Sequence, residues 1–501
     1  MIVQAVDPIP SRTHLGSISL EVALSLPSST GAVGVPVGQR GAVPEVLGFE
    51  RTALTALGFE AKAGQTLRVP RPDGSTLVAV GIGDARALDA ATLRDAAAAF
   101  ARAGDRYGHV AFDLGDVAAE SDDITGQAVV EGVLLARYRY DALKSEPTTV
   151  PLSKLTIVTS SAHADGIERG AERGRLTAAA AALARDLANA PPAYMTATRI
   201  AEVAETIAAE AGLGVEVFDK EALQRIGCGG LLGVNAGSTE PPRMIKLTYR
   251  PSTDGSGGHL ILVGKGVMYD SGGISIKPSD ASHATMKMDM SGAGAVLAAM
   301  SALPALGCRS TVTAYLMCTD NMPSGTAKKL GDVLTIYGGK TVEVINTDAE
   351  GRLILADALV LASEEEPDAI VNIATLTGAA MRALGEKTAA LYGTDERLIK
   401  QVEAAARQTD ESVWRLPLDP RYRNELNSTT ADLKNIGGQF AGSTTAALFL
   451  AEFVGDMPWA HLDIAGQSSI DRDESWRSEG ASGFGTRLLI DLALNFTPPR
   501  A

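Results

Sequence analysis

The chain has 501 residues, a mass of 51.9 kDa, 45% hydrophobic and 21% charged residues, and a mean hydropathy of +0.07. That length exceeds one ordinary core, and that balance excludes a disordered, fibrous or disulfide-stapled chain. A net charge of −15 disfavours general attraction to nucleic acid or anionic lipid, and three cysteines without a Cys-x-x-Cys pair fit free thiols in a reducing compartment.

Residues 1–16 lack the basic and apolar regions of a secretion signal, so a cytoplasmic location is expected. The most apolar run, 353–362, is interrupted by Asp357 and falls far short of the roughly 20 residues that cross a bilayer. Short β-like runs at 76–81 and 154–158 surround an Ala-rich helical stretch at 90–103, which predicts an N-terminal α/β domain over 1–165. An amphipathic segment at 170–190, stopped by Pro191-Pro192, predicts a helix within a linker spanning 166–192.

The rest of the chain, 193–501, alternates β runs (259–263, 310–318, 341–345, 369–374, 459–464) with helical periods (293–302, 353–362, 484–494). This alternation predicts a large sheet with helices on both faces, and the fold expected for the whole chain is α/β, an N-terminal α/β domain joined by a helix to a larger C-terminal catalytic domain with a central mixed sheet flanked by helices. Ligands of such sheets gather beyond the carboxyl ends of strands, so the loops after Val263, Cys318, Ile345 and Ala374 are where chemistry is sought.

Several chemistries lack their motifs. Gly264-Lys265-Gly266 has His259 where a phosphate loop needs glycine, and Tyr269 where a dinucleotide fingerprint needs its third glycine. The six histidines include no pair four apart, which excludes a His-Glu-x-x-His zinc helix and leaves oxygen-rich ligation for any metal. No Gly-x-Ser-x-Gly elbow occurs.

Two segments concentrate charge against glycine and apolar sequence: 263–278 with 286–290, and Asn346-Thr-Asp-Ala-Glu-Gly-Arg-Leu353. Asp348 and Glu350 follow a β run and precede a helix; Asp270 follows another β run, and Asp289 lies just before a helix. Folding the sheet would gather four carboxylates that cannot be packed together without compensation. Two divalent cations cancel their charge, which is the requirement of a two-metal hydrolytic site. Of Lys265 and Lys277, one can lose its proton and coordinate while the other stays charged to bind an oxyanion. Arg352 stays charged and is left to hold an anion.

At these residues the chain resembles the leucine aminopeptidase (cytosol aminopeptidase) family, whose hallmark string matches residues 346–353 in full. Supporting matches are Asp270-Ser-Gly-Gly273, Ser275-Ile-Lys-Pro278, Met288-Asp-Met-Ser-Gly292, Asn321-Met-Pro-Ser-Gly325, Ala374-Thr-Leu-Thr-Gly-Ala379 and Trp459-Ala-His-Leu-Asp-Ile-Ala-Gly466. The resemblance implies two zinc or manganese ions, one bound by Lys265, Asp270, Asp289 and Glu350 and the other by Asp270, Asp348 and Glu350. It also implies a metal-bridging water or hydroxide as nucleophile, Lys277 on the tetrahedral oxyanion, and a proton-relaying bicarbonate at Arg352. Met286, Thr375 and Gly378 are expected to line the pocket for the departing residue. Peptides with a leucine or similar N-terminus are the implied substrates, in a homohexamer of two stacked trimers with neither membrane nor nucleic acid as partner. Two other activities known among relatives, DNA-bound accessory functions and Cys-Gly dipeptide cleavage, are separated from this one by a gel shift and a substrate panel.

The chain departs from the family pattern at Leu330, where proline is usual before Gly-Asp-Val, and at Asn189-Ala-Pro-Pro192, which lacks the second Asn and the Thr-Pro. The interval between Lys277 and Asp289 is one residue longer than in some relatives, so the loop near Asp280 to His283 is expected to differ in shape.

Overall fold

The computed structural model describes residues 7–147, 149–252 and 257–499. The secretion-signal reading of residues 1–16 therefore falls partly outside the described residues. The described residues form two compact units, one made of 9–147, 149–182 and 470–480, the other of 7–8, 183–252, 257–469 and 481–499. The helix Ala164–Asn189 begins six residues earlier than its amphipathic pattern suggested, and contributes to both units.

In the first unit, β1 (Ser19–Ala23), β2 (Ala32–Val37), β3 (Thr66–Pro70), β4 (Thr76–Gly81), β5 (His109–Gly115) and β6 (Lys154–Thr159) form one sheet in the order β1-β6-β5-β2-β4-β3, with only β3 antiparallel to its neighbour. The helices Ala90–Ala103 and Asp122–Ala136 pack together, and their alanines and valines share one apolar cluster with Phe100, Phe112 and Leu155. The Arg94–Glu131 pair is buried between them at 2.7 Å, and Thr177 Oγ1 also donates to Glu131.

The second unit is built on eight strands: β7 (Gly214–Phe218), β8 (Arg243–Tyr249), β9 (His259–Asp270), β10 (Thr311–Asn321), then, after the short β11 (Val333–Thr335) and β12 (Thr341–Glu343), β13 (Ala369–Ala374), β14 (Ala389–Gly393), β15 (Val413–Arg415) and, after β16 (Leu433–Lys434), β17 (Trp459–Asp463). The main sheet runs β15-β14-β17-β13-β9-β10-β8-β7. Its four central strands are parallel, while β8, β7 and β14 run antiparallel to a neighbour, so the sheet is mixed.

Side chains alternate across β9. Ile261, Val263 and Val267 join the apolar cluster of the helix Gly351–Glu364. Gly264 meets the helix Ser291–Ala302 on the other face, where a Cβ would lie 2.7 Å from the Ala293 Cα. Glycine at 264 is thus a condition of that close approach.

One expectation fails. The run 341–345 does not enter the main sheet; only Thr341–Glu343 is a strand, and it pairs with β11 and β16 in a separate three-stranded sheet. The reason is local: Ile336 to Gly339 makes a tight turn, closed by the Ile336 N–H to Lys340 carbonyl bond at 2.9 Å, and this folds β12 back on β11. Residues 344–350 consequently approach the main sheet as a loop. Among the described residues no helix is long and apolar enough to cross a membrane.

Candidate metal centre

The carboxyl ends of β9, β10, β13 and β17 and the starts of two helices converge on one place. Lys265 lies within β9 and Asp270 is its last residue; Asp289 is the penultimate residue of the 3-10 turn Met286–Met290, which leads into Ser291–Ala302. Glu350 occupies the N-cap position of Gly351–Glu364, yet its side chain makes no capping bond and stays available to the cavity. The free N–H groups and dipole of that helix start favour negative charge there.

All ten residues singled out from the sequence, Lys265, Asp270, Lys277, Met286, Asp289, Asp348, Glu350, Arg352, Thr375 and Gly378, line a single cavity of about 440 Å³. Asp270, Asp289 and Glu350 are buried and offer oxygens within 4.8 Å of one another, a set able to hold a metal ion. The Lys265 Nζ lies 2.8 Å from carboxylate oxygens of both Asp289 and Glu350 and donates to the Thr375 carbonyl at 2.8 Å. Its counterpart, the Lys277 Nζ, bridges Asp270 Oδ2 at 2.8 Å and Asp348 Oδ1 at 2.6 Å. Glycine at 351 makes room for Lys265, because a Cβ there would lie 2.7 Å from the Lys265 Cε.

The electrostatics show how crowded the carboxylates are. Burial pushes Asp270 and Asp289 above the usual carboxylate range, and raises Asp348 to about 6 with help from the Asp270 charge. Burial acts most strongly on Glu350, but the Lys265 and Lys277 ammoniums and a backbone hydrogen bond together outweigh it and hold this carboxyl below its ordinary value. Burial would lower Lys265, and the surrounding carboxylates more than reverse it, so both lysines are held above the usual ammonium range. Even so, Glu350 Oε2 is a buried oxygen without a hydrogen-bond partner, as are Nε and Nη1 of Arg352. Orphaned acceptors and donors side by side in one cavity fit a dication on the first and an anion on the second.

Several residues that hold this arrangement were not singled out as site residues. Asn435, fully buried, accepts from the Ile345 and Asn346 N–H groups at 2.8 and 3.3 Å and donates to the Asn346 and Ala349 carbonyls at 2.6 and 3.3 Å. It stitches the loop carrying Asp348 and Glu350. Thr347 ties that loop to the one after β9, donating to the Gly272 carbonyl at 2.7 Å and accepting from the Ser275 N–H at 2.7 Å. Asn321, at the end of β10, donates to Asp270 Oδ1 at 2.8 Å, and Lys328 donates to Asn321 Oδ1 at 2.8 Å. Burial pushes the Lys328 ammonium down to about 8 against the pull of Glu350, Asp270 and Asp348. Asp463 accepts from Thr377 Oγ1 at 2.7 Å and so fixes the turn after β13.

Asn321 and Asp463 lie in motif strings already quoted; Asn435 and Lys328 carried no local signal, because only the folded chain brings them to the cavity. The loop near Asp280 forms the short helix Ala281–Ala284, capped by Asp280 on the His283 N–H at 3.1 Å. The His283 ring stacks on Tyr269 at 6.0 Å.

The comparisons with known proteins concern the chain as a whole. Residues 182–490 match the catalytic domain of the cytosol aminopeptidase family, and residues 48–147 its N-terminal domain. A probable cytosol aminopeptidase of Streptomyces avermitilis is 43% identical over 458 residues, 88% of each chain. One of Alkaliphilus metalliredigens is 41% identical over 456 residues, covering 89% of this chain and 91% of its own. Among solved structures, the bottromycin maturation enzyme BotP in complex with Mn superimposes with a TM-score of 0.85 at 39% identity, over 93% of this chain and 99% of BotP. A match across most of the chain, with the family's two domains in order, has one reading: the chain belongs to the cytosol aminopeptidase family and is a metal-dependent aminopeptidase.

Proposed function

We propose that the chain removes the N-terminal residue, leucine or a similar apolar one by preference, from peptides at a site holding two divalent cations, zinc or manganese. The observation that carries this reading is the meeting of four carboxylates and two lysines in one cavity with Glu350 Oε2 buried and unpartnered. One cation would be held by Lys265, Asp270, Asp289 and Glu350, the other by Asp270, Asp348 and Glu350. When bound, the cations neutralise the carboxylates, activate water at neutral pH and polarise the scissile carbonyl.

The remaining roles belong to this chain's own side chains. Were a dication to take over the attraction of Asp289 and Glu350, the Lys265 ammonium would release its proton to solvent, and its neutral amine would be one of the groups that hold the cation. Lys277 keeps its charge and faces the oxygen on which negative charge develops. Arg352, at a helix start with Nε and Nη1 buried and unpartnered, would hold a bicarbonate, an anion able to accept and pass on a proton. The carboxylates also attract the free α-amine of a peptide, which restricts cleavage to the first residue, whose side chain rests against Met286, Thr375 and Gly378.

Residues 193–501 form the catalytic part, joined through 166–192 to an N-terminal domain at 1–165. The active assembly is a cytoplasmic homohexamer.

The test is exhaustive chelation followed by restoration of zinc or manganese, read as hydrolysis of a leucine anilide. Activity should vanish and return, and Glu350→Ala should be inactive and bind less metal. Activity that survives both chelation and Glu350→Ala overturns the reading.

A further inference from the structure

Lys328 is 6% exposed, and its ammonium donates to Asn321 Oδ1 at 2.8 Å. An ammonium can only donate, so the atom facing it must be the amide oxygen. The Asn321 nitrogen is thereby turned the other way, where it donates to Asp270 Oδ1 at 2.8 Å and to the Thr347 carbonyl at 3.1 Å. Asp270 Oδ1 also receives the Gly272 N–H at 2.9 Å. One oxygen of Asp270 is thus engaged by two fixed donors, while Oδ2, which faces Lys277 at 2.8 Å, is left toward the cavity. A half-turn of the Asn321 amide would set its oxygen against the Asp270 carboxylate, and Lys328 is the group that forbids that half-turn.

We propose that Lys328 is a positioning residue for the dication site: its buried ammonium locks the Asn321 amide, and through it the Asp270 carboxylate, in the orientation that turns Oδ2 toward the cavity, where a divalent cation would take it over from Lys277. This rests on the two-cation reading above. It makes an unusual claim about sign. Lys328 is a buried positive charge near Asp270, Glu350 and Asp348, so as a charge alone it opposes a dication, and its removal would tighten binding. As a lock on the partner of a ligand, its removal loosens binding, since loss of such outer contacts costs about 10–100-fold in metal affinity.

The experiment titrates metal-free protein with Mn2+ or Zn2+ under competition from a chelator, with thermal unfolding of each metal-free variant alongside. Lys328→Met, similar in length but without donor or charge, should bind at least about 10-fold more weakly. Lys328→Gln, which keeps an N–H donor without the charge, should recover part of that loss. In an Asn321→Ala background, Lys328→Met should add less than about two-fold, because the effect runs through the amide. Should Lys328→Met fail to fold, Lys328→Gln and the Asn321→Ala pair decide the matter. Affinity equal to or above that of the unmodified chain in Lys328→Met, or full additivity with Asn321→Ala, overturns the proposal while leaving the dication site intact. An unmodified chain that binds no divalent cation overturns the parent reading and this one with it.

Discussion

Replacing Asn435 by alanine should injure both stability and metal binding, by amounts that follow from its contacts. The amide makes four hydrogen bonds to the 345–349 loop, two of them short, at 2.6 and 2.8 Å, and two long, at 3.3 Å. A net hydrogen bond contributes about 1 kcal/mol, and a buried backbone group left without a partner costs about 1–3 kcal/mol. Counting the short pair fully and the long pair slightly, Asn435→Ala should lower unfolding stability by about 2–4 kcal/mol. The loop it releases carries Asp348 and Glu350, so cation affinity should fall by about 10-fold or more. Denaturant unfolding reads the first quantity, and titration of the metal-free protein with Mn2+ against a chelator reads the second. If the variant stays within about 0.5 kcal/mol of the unmodified chain and binds metal equally well, the loop is held by β12 and the helix Gly351–Glu364 without Asn435, and the reasoning fails.

Two further substitutions probe other groups. Lys277→Ala should reduce kcat by about 100-fold or more while bound metal stays constant or rises, because it removes a cation from between Asp270 and Asp348; metal lost in proportion to activity would make Lys277 a holder of the cation instead. Asp357, buried with its two oxygens accepting from the Leu231 and Tyr337 N–H groups at 2.8 Å, is pushed up by burial to about 7. Its carboxyl holds a proton more tightly folded than unfolded, so its contribution is fully present below about pH 4 and is lost as pH rises to about 7, by up to about 4 kcal/mol. The stability of Asp357→Asn relative to the unmodified chain should therefore improve across that interval in denaturant unfolding; a constant difference from pH 4 to 8 would show that Asp357 is ionised throughout.

What the sequence by itself determined is the class of fold and which side chains share the cavity. Residue types are local information: Asp348-x-Glu350 before Gly351 and Arg352, and Lys265 five residues before Asp270, are legible in one dimension. The alternation of β runs with 3.6-residue periods was enough to imply a large sheet with helices on both faces, and all ten marked residues line one cavity.

What only the tertiary structure decided is how those side chains are held. The run 341–345 has the composition of a sheet strand, yet its pairing was settled by the preceding turn and by β16, nearly a hundred residues further along the chain. Asn435 and Lys328 look like ordinary polar residues until folding buries them, and a buried amide or ammonium acquires its role from whichever unsatisfied group it meets. Hydrogen bonds between distant segments leave no periodicity in the sequence, because their partners are chosen by the path of the backbone and not by neighbours along the chain.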